Sequence, residues 1–334
     1  MERKNLTDIQ DSASIQSCEA VAPSSTANIG PGFDVFGLAL DLFHDKVTVR
    51  KHETKTGKIN IILSDKSNLN LKIPTDVNSN SAGLAVKKLC IESGIENDIE
   101  LSVLKGVPPG YGLGSSAASA AAAVMGVNHL FKIGFERKKL VEFAAEGEIA
   151  SAGVRHYDNV AASLLGGFVI ARSSPRLEFT RIQPPGNLIL VVAIPKLPVP
   201  EKKTEIARSV LPKQVPLNRV VENIANASMV VSGFLLSDVK MIANGIEDAI
   251  VEPTRKGLIK GFDKVKEYAL NNGALAVTIS GAGPSIIAFS QSGEGVDASR
   301  IADSMRKGFL DSDIEANAYV CGPSNGAYII SEPA

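Results

Sequence analysis

The spacing of hydrophobic and polar positions predicts short strands interleaved with helices along the whole chain. Alternating or continuous apolar runs predict strands at residues 17–22, 45–51, 59–63, 99–104, 168–171, 188–194, 274–279, 314–320 and 326–331, with one more within 173–187. Helical spacing predicts helices at residues 81–93, 136–150, 216–236, 258–272 and 295–308, with shorter ones from about residue 201 and within 237–257. Residues 115–127 are rich in alanine and contain glycine only at Gly126, which is typical of a helix.

A glycine loop leads into this alanine-rich helix: residues 106–119 read GVPPGYGLGSSAAS. Gly110, Gly112 and Gly114 permit positive φ, which lets the backbone turn and approach a ligand closely. The helix start presents unpaired N–H groups and the positive end of the helix dipole. The stretch therefore predicts an anion site suited to phosphate. It is not a Walker A loop, because no lysine follows Gly114, and its glycine spacing differs from the dinucleotide-binding GxGxxG.

Two further polar segments interrupt apolar sequence. The first, residues 23–34, reads PSSTANIGPGFD, and we expect a loop that lines a pocket through Asn28 and Asp34, with a plain turn as the alternative. The second, residues 151–163, reads SAGVRHYDNVAAS and places His156 in a turn-rich segment beside two polar residues. A histidine that is merely structural is the alternative there.

The length of 334 residues predicts two domains, which we place at residues 15–187 and 188–334 after a disordered extension at residues 1–14. The net charge of −1 provides no broad basic surface, which argues against nucleic acid or an acidic membrane as a partner. The amino terminus lacks the apolar core of a signal peptide, and no apolar stretch is long enough to span a membrane. Three widely spaced cysteines match neither a disulfide framework nor a zinc site, which indicates a reducing cytoplasm.

Residues 23–34, the glycine loop and residues 280–285 (SGAGPS) resemble, in this order, the three motifs of the GHMP kinase superfamily. The resemblance covers nearly the whole chain after residue 17. It is strongest to the homoserine kinase branch, whose HxDNVAP segment is similar to residues 156–162. Two departures are Ala162 in place of the proline and an insertion-like Glu201-Lys202-Lys203. The resemblance implies a two-domain α+β fold, with an N-terminal domain like ribosomal protein S5 domain 2 and a C-terminal ferredoxin-like α/β sandwich.

The resemblance implies ATP as phosphoryl donor and Mg²⁺ as cofactor, the metal being held by Ser116 and Glu148. The implied nucleotide contacts are Asn80, Lys105, Pro108, Pro109, Gly110, Tyr111, Gly112, Leu113, Gly114, Ser115, Ser116, Ala117, Ser119, Gly281 and Gly283. Two alternatives remain open at this stage. Asn80 is equally suited to cap the helix at 81–93, and Glu148 is equally suited to an exposed helix face.

The implied acceptor is L-homoserine, a zwitterion with a side-chain hydroxyl, converted to O-phospho-L-homoserine on the route to threonine. The resemblance pairs its ammonium with Asp34 and its carboxylate with Arg208 and Arg255, because a guanidinium fork suits a carboxylate. Asn28, His156 and Thr204 would supply neutral hydrogen bonds. A solvated helix face is the alternative for the two arginines.

Together with Ser116, Glu148 and Arg208, the residue Asn159 is an expected catalytic group. It stands where many GHMP kinases carry an aspartate base, and an amide has no basic function at neutral pH. We therefore hypothesise transfer without a side-chain base, with Asp158 as the competing candidate. The alternative functions are a kinase of another small alcohol, such as mevalonate or shikimate, and a non-catalytic ligand-binding paralogue. The resemblance also implies a homodimer.

Overall fold

The computed structural model describes residues 16–65, 73–200, 203–293 and 297–331, so the predicted extension at residues 1–14 lies outside the described residues. The strands are β1 (Gln16–Asn28), β2 (Gly32–Lys51), β3 (Ile59–Asp65), β4 (Ile99–Lys105), β5 (Phe168–Arg172), β6 (Glu178–Ile182), β7 (Leu188–Pro195), β8 (Ala276–Ile279), β9 (Ile286–Gln291), β10 (Ala316–Cys321) and β11 (Tyr328–Ser331). The helices are α1 (Ser81–Ser93), α2 (Ser115–Leu130), α3 (Arg137–Ala152), α4 (Asp158–Leu165), α5 (Lys203–Ser209), α6 (Leu217–Leu236), α7 (Val239–Asn244), α8 (Glu252–Arg255), α9 (Phe262–Asn271) and α10 (Ala298–Leu310).

Two sheets organise the described residues. The larger has seven strands in the order β11-β1-β2-β4-β3, with β5 pairing with β2 and carrying β6. The smaller has four strands in the order β10-β7-β9-β8, and every neighbouring pair in it is antiparallel. In chain order within its own half this is 4-1-3-2, the strand order of a ferredoxin-like sandwich. The predicted α+β fold class is thus confirmed.

The first polar motif is mostly strand, so the predicted loop at residues 23–34 is wrong except at residues 29–31. β1 continues to Asn28 and pairs with β2 through Ser24↔Leu40, Ser25↔Ala39 and Thr26↔Leu38. Only residues 29–31 form a turn. Turn-forming residue types predicted the loop, but these side chains are buried and their backbone groups are satisfied by the ladder, which overrides local propensity.

The last strand returns to the sheet in which the chain began. The division into domains at residues 15–187 and 188–334 stays a prediction. β11, at the end of the predicted C-terminal domain, pairs with β1 and therefore belongs to the larger sheet. The predicted boundary at residues 187 and 188 falls between β6, in the larger sheet, and β7, in the smaller one. The chain thus crosses to the smaller sheet and returns to the larger one with β11. Local sequence patterns do not indicate such a return.

The alanine-rich helix α2 is the buried support of the larger sheet. Twelve of its residues are buried, and it begins at Ser115, directly after the glycine loop's Gly114, as predicted. Small side chains let the helix lie close to the strands: a Cβ at Gly126 would stand 2.6 Å from Cγ2 of Val49. This close packing fixes the helix start relative to the sheet, and with it the glycine loop.

A shared apolar core joins the two halves of the molecule. It includes Phe168 from the larger sheet, Phe289 from the smaller one and Phe234 from α6. The rings of Phe168 and Phe234 stack with centroids 4.0 Å apart. Packing of this density resists sliding of one half on the other, so the residues facing the cleft between them keep fixed positions. Across the described parts of the chain, no helix has the length and apolar character needed to cross a membrane.

Candidate active site

A cleft of about 300 Å³ opens where the predicted motifs meet. Its walls come from the turn between β1 and β2, the glycine loop, the starts of α2 and α4, the ends of α3 and α8, helix α5 and the loop after β8. The predicted site residues that line it are Asn28, Asp34, Pro109, Gly110, Gly112, Leu113, Gly114, Ser115, Ser116, Glu148, His156, Asn159, Thr204, Arg208, Arg255 and Gly281. The remaining predicted residues, Asn80, Lys105, Pro108, Tyr111, Ala117, Ser119 and Gly283, do not line it.

The glycine loop adopts the conformation for which its glycines are required. Gly110, Gly112 and Gly114 have φ of 85°, 77° and 66°, a region costly for other residues. Gly114 is the N-cap of α2 and has no side chain to satisfy the first N–H groups of the helix. A Cβ there would stand 2.1 Å from Oγ of Ser25. The helix start consequently faces the cleft with unpaired donors, as an anion site requires.

The loop after β8, the third predicted motif, packs directly against the glycine loop. Oγ of Ser280 lies 2.8 Å from the carbonyl oxygen of Gly112 and 2.9 Å from Oγ1 of Thr26. The N–H of Gly281 donates to the carbonyl of Ala27 at 3.2 Å. A Cβ on Gly112 would come within 2.2 Å of the carbonyl oxygen of Ser280. The three motifs, far apart in sequence, therefore form one continuous wall.

Lys105 holds the glycine loop in this structure, and its predicted phosphate contact stays a prediction. Its ammonium is buried and bound to the carboxylate of Asp45, to the carbonyl of Ser115 and to Oγ of Ser119, each of the last two at 2.8 Å. Asp45 also accepts from the N–H groups of Gly106 and Val107, both at 2.9 Å. This buried network anchors both ends of the glycine loop from behind. Ser119, another predicted nucleotide contact, donates to Asp45 at 2.6 Å and belongs to the same anchor.

Asn80 acts as a helix cap in the structure. Its side-chain oxygen accepts from the N–H groups of Ala82 and Gly83 at 3.0 and 3.1 Å, and its amide donates to the carbonyl of Pro74 at 2.8 Å. This is the open alternative of the sequence analysis. The predicted contact of Asn80 with the nucleotide stays a prediction. The preceding residues 66–72 lie outside the described residues.

The pair predicted to hold a metal ion is assembled at the cleft. Oγ of Ser116, in the first turn of α2, donates to Oε1 of Glu148 on α3 at 2.6 Å. Glu148 is buried, so the alternative of an exposed helix carboxylate is excluded. Its other oxygen lies 3.8 Å from Nδ1 of His156. Burial opposes protonation of His156, but the carboxylates of Glu148 and Asp158 raise its pKa above the ordinary value.

Opposite charges face each other at the other end of the cleft. One Nη of Arg208 lies 2.7 Å from each carboxylate oxygen of Asp34, and the same guanidinium donates to Nε2 of His156. Arg255 is buried and donates to the carbonyl of Ala207 at 3.0 Å. Burial and the neighbouring Arg208 lower the pKa of Arg255. The solvated-face alternative for the two arginines is therefore wrong.

Phe33 lies between the two arginines, and sequence reasoning missed it. The guanidinium carbons of Arg208 and Arg255 stand 5.3 and 5.0 Å from the centroid of its ring, within the range of cation–π attraction. The ring thus holds two like charges in one pocket. The position of Phe33 directly before Asp34 in the first motif was the available signal.

Lys203, a cleft residue at the start of α5, was also missed, because it falls in the insertion-like segment.

The turn between β1 and β2 and the strand residues beside it are conformationally strained. Asn28, Ile29 and Asp34 have φ of 71°, 48° and 59°, values that non-glycine residues rarely adopt. Side-chain bonds hold the turn: Nδ2 of Asn28 donates to the carbonyl of Gly281 at 2.7 Å, and its Oδ1 accepts from the N–H of Asp34 at 3.2 Å. The strain fixes the Asp34 carboxylate opposite Arg208, as is common where a site is preorganised.

Asp158 and Asn159 begin helix α4, so the predicted turn-rich segment ends sooner than expected. Oδ1 of Asn159 accepts from Oγ of Ser25 at 2.9 Å, which leaves its amide N–H groups to the cleft. Asp158 is 3 % exposed. Burial and the nearby charge of Asp34 raise the pKa of its carboxyl to about 6. Both residues line the cleft between the metal pair and the arginines.

The N-terminal GHMP kinase family model matches residues 80–167, and the C-terminal GHMP kinase model matches residues 230–310. A homoserine kinase of Thermoplasma acidophilum is 38 % identical over 94 % of this chain and 97 % of its own length. The chain belongs to the homoserine kinase family. A homoserine kinase of Natronomonas pharaonis is 40 % identical over 92 % of this chain and 97 % of its own.

Solved structures agree with this assignment. The crystal structure of homoserine kinase from Cytophaga hutchinsonii superposes with a TM-score of 0.86 at 37 % identity, covering 99 % of this chain and 100 % of the other. Mevalonate diphosphate decarboxylase of Staphylococcus aureus shares the fold at a TM-score of 0.68 and 15 % identity. The protein is thus a phosphotransferase of the GHMP kinase superfamily, whose members use ATP. The resemblance to GHMP kinases, the two-domain GHMP kinase fold and the class of enzyme are confirmed.

Proposed function

We propose that this protein transfers the γ-phosphoryl group of Mg-ATP to the side-chain hydroxyl of L-homoserine, giving O-phospho-L-homoserine. The observation that carries the proposal is the juxtaposition of Asp34, Arg208 and Arg255 at one end of a cleft whose other end is the glycine loop. Family membership supports the same acceptor, since the relatives named above are homoserine kinases.

The charged end of the cleft suits an amino acid. Its carboxylate would bind Arg208 and Arg255, and its ammonium would bind Asp34 in place of the present Asp34–Arg208 contact. Two guanidinium groups and one carboxylate complement a zwitterion with little net charge to bury. Neither mevalonate nor shikimate carries an ammonium, so neither acceptor would supply a cationic group to bind the Asp34 carboxylate.

The other end of the cleft suits the phosphates of ATP. The glycine loop and the uncapped start of α2 offer backbone N–H donors at a positive helix end. Gly281 and the glycine loop close the wall on which the phosphates would lie. Of the predicted loop contacts, Ser115 already donates to the carbonyl of Val107 at 2.8 Å, so its hydroxyl helps to hold the loop as well.

Ser116 and Glu148 fit a magnesium ion carried by the nucleotide. Both are hard oxygen donors 2.6 Å apart, the arrangement that Mg²⁺ accepts when phosphate oxygens and water complete its shell. Within the described ranges there is no cluster of three or more histidine, cysteine, aspartate or glutamate side chains that would bind a metal without the nucleotide. When bound, the ion would neutralise charge on the phosphates during transfer.

In the transfer, the acceptor hydroxyl oxygen bonds to the γ-phosphorus as the bond to the β–γ bridging oxygen breaks, and ADP leaves. The hydroxyl proton passes to the phosphate or to water, without a side-chain base. The amide of Asn159 would orient the hydroxyl, since its oxygen is occupied by Ser25 and its N–H groups face the cleft. Thr204, His156 and Asn28 would add hydrogen bonds around the acceptor.

The experiment is ADP release from Mg-ATP with L-homoserine, L-serine, mevalonate and shikimate, for the wild type and for Arg172→Ala as a surface control. Arg172 lies on β5 and pairs with Glu178, outside the cleft. We expect turnover on L-homoserine above all the others. Turnover on an acceptor without an amine would overturn the assignment. Nucleotide binding without turnover on any acceptor would support the non-catalytic alternative.

We also propose that the protein acts as a homodimer in the cytoplasm. Exposed apolar side chains on α6, among them Leu217 at 77 % and Val221 at 60 %, support a contact with a second copy. The cysteines Cys18, Cys90 and Cys321 form no disulfide with one another, in keeping with a reducing compartment. Light scattering should give twice the chain mass of 35.1 kDa, and a monomer at micromolar concentration would contradict the dimer.

A further inference from the structure

Lys203 is a cation of the cleft to which none of the roles above is assigned. It is the first residue of α5 and lines the cleft beside Thr204. Its ammonium donates to the carbonyl oxygen of Gly283, in the loop after β8. That loop packs against the glycine loop, as described above, so Lys203 lies where both phosphate-binding walls approach the acceptor end of the cleft.

The ammonium of Lys203 has no carboxylate partner among the described residues. The loop after β8 has no titratable side chain, and the only one in the glycine loop, Tyr111, donates its hydroxyl to the carbonyl of Leu197. On its own helix Lys203 is followed by Glu205 and Arg208, and α8 brings the positive charge of Arg255. A partly buried ammonium in this setting is stabilised by an anion, and only a ligand supplies one.

We propose that Lys203 is a further catalytic residue, whose ammonium binds the γ-phosphate of ATP and stabilises the charge on it during transfer. This rests on the proposed function for the nature of the nucleotide. The γ-phosphate is favoured over the α- and β-phosphates because Lys203 lies beside Thr204, at the acceptor end. It is favoured over the substrate carboxylate because Arg208 and Arg255 already form a site for that group. A lysine acts on phosphate as a mobile point charge, which suits a group that moves between two oxygens.

Because the Lys203 ammonium can lose its proton, the proposal predicts that nucleotide affinity depends on pH. Burial and the nearby Arg255 lower its pKa to about 7. Bound phosphate favours the ammonium, so nucleotide binding above pH 7 must take up a proton. Affinity for the triphosphate should therefore fall as the pH rises from 7 to 9.

The test is isothermal titration of the full-length protein with Mg²⁺ and either ADP or the non-hydrolysable β,γ-imido analogue of ATP, at pH 7 and pH 9. The variants are Lys203→Met, Lys203→Arg and, as a control, Lys196→Met, an exposed lysine paired with Glu315. At pH 7 we expect Lys203→Met to lose at least tenfold in affinity for the triphosphate and less than twofold for ADP. Lys203→Arg should bind the triphosphate equally well at both pH values, because arginine stays charged.

Equal losses for ADP and the triphosphate, or no loss for either, would overturn the proposal. A rise in KM for L-homoserine with unchanged triphosphate affinity would also overturn it, by placing Lys203 on the amino acid. In steady state, Lys203→Met should lower kcat at least 100-fold with KM for L-homoserine within threefold. If the wild type binds the triphosphate through Lys203 but does not phosphorylate L-homoserine, the proposed acceptor fails while this inference stands.

Discussion

Asp34 and Arg208 are bound to each other across the cleft, with both carboxylate oxygens 2.7 Å from one guanidinium nitrogen. Arg208 is on α5 and Asp34 is near the start of β2, so the pair joins two elements through residues 174 positions apart. Both side chains remain about one-third exposed. A zwitterionic ligand can therefore separate them and take each as its own partner, at little electrostatic cost.

The first prediction concerns the carboxylate contacts of this pocket. Arg208→Ala should raise KM for L-homoserine by at least tenfold, because a charge-assisted bidentate contact contributes about 1.5–3 kcal/mol. Arg208→Lys should recover only part of the loss, since an ammonium lacks the planar fork. Steady-state kinetics at saturating ATP measures both. If KM for ATP rises instead, the arginine belongs to the nucleotide site.

The second prediction concerns Asp158. Its carboxyl pKa is raised from an ordinary 3.8 to about 6, so the folded protein binds more protons than the unfolded one between these values. The buried charge therefore destabilises the folded protein. This destabilisation is absent below about pH 4 and complete above about pH 6. Asp158→Asn keeps an acceptor for the N–H of Asn159, which now bonds to Oδ1 at 2.7 Å. It should stabilise the protein by about 1–3 kcal/mol at pH 7.5, with the gain vanishing towards pH 4.

The same variant tests transfer without a base. We expect kcat of Asp158→Asn to stay within tenfold of the wild type at pH 7.5, because the proton passes to phosphate or water. Denaturant unfolding at pH 4.5 and 7.5 provides the stability difference, and a pH–rate profile provides the chemistry. Loss of the pH-dependent step with intact substrate binding would show that Asp158 is the base.

The third prediction concerns the metal pair. Glu148→Gln should raise the Mg²⁺ concentration for half-maximal activity at least tenfold and lower kcat at least 100-fold, because a neutral amide is a weak ligand for a hard cation. Glu146→Gln is the matched control, since Glu146 lies on the same helix and pairs with Arg155. A magnesium titration of the rate compares the two. An unchanged Mg²⁺ requirement in Glu148→Gln would remove Glu148 from the metal site.

The fourth prediction separates backbone strain from steric clash at Gly114. Gly114→Ala places a methyl group 2.1 Å from Oγ of Ser25 and 3.1 Å from Oδ1 of Asn159, besides demanding φ of 66°. Gly134→Ala demands a similar φ of 81° but meets open space. Both variants should lose about 1 kcal/mol of stability from strain. Only Gly114→Ala should also lose ATP affinity, by at least tenfold in KM, and equal KM values would refute the close packing of loop and helix.

Local patterns in the sequence predict the helices and strands that carry the site. They do not predict its buried contacts. The start of α2 at Ser115 followed from glycines before an alanine run, and β4, β5 and β7 followed from apolar runs. The strand at residues 23–28 was not predicted, because turn-forming residues become strand when a neighbouring strand pairs with them. The Lys105–Asp45 pair depends on the register of β2 and β4, which bring residues 60 positions apart together. No property of Lys105 alone distinguishes this role from phosphate binding.

Resemblance, rather than pattern, identified the polar residues that meet at the cleft. Nothing in the spacing of Asp34, His156 and Arg208 places them in contact, and only the shared fold does so. Phe33 shows the limit of this approach, because its ring acts through two arginines that are distant in sequence. Lys203 shows another, since it lies in a segment where the chain departs from its family.

The most direct test of the central claim is identification of the phosphorylated product by phosphorus–proton correlated NMR after incubation with Mg-ATP and L-homoserine. We predict one new phosphomonoester signal coupled to the methylene next to the side-chain oxygen, formed in equal amount with ADP. The signal should be absent with Arg208→Ala at the same substrate concentration. ADP without this ester, or a phosphate coupled to any other group, would contradict the assignment of the acceptor.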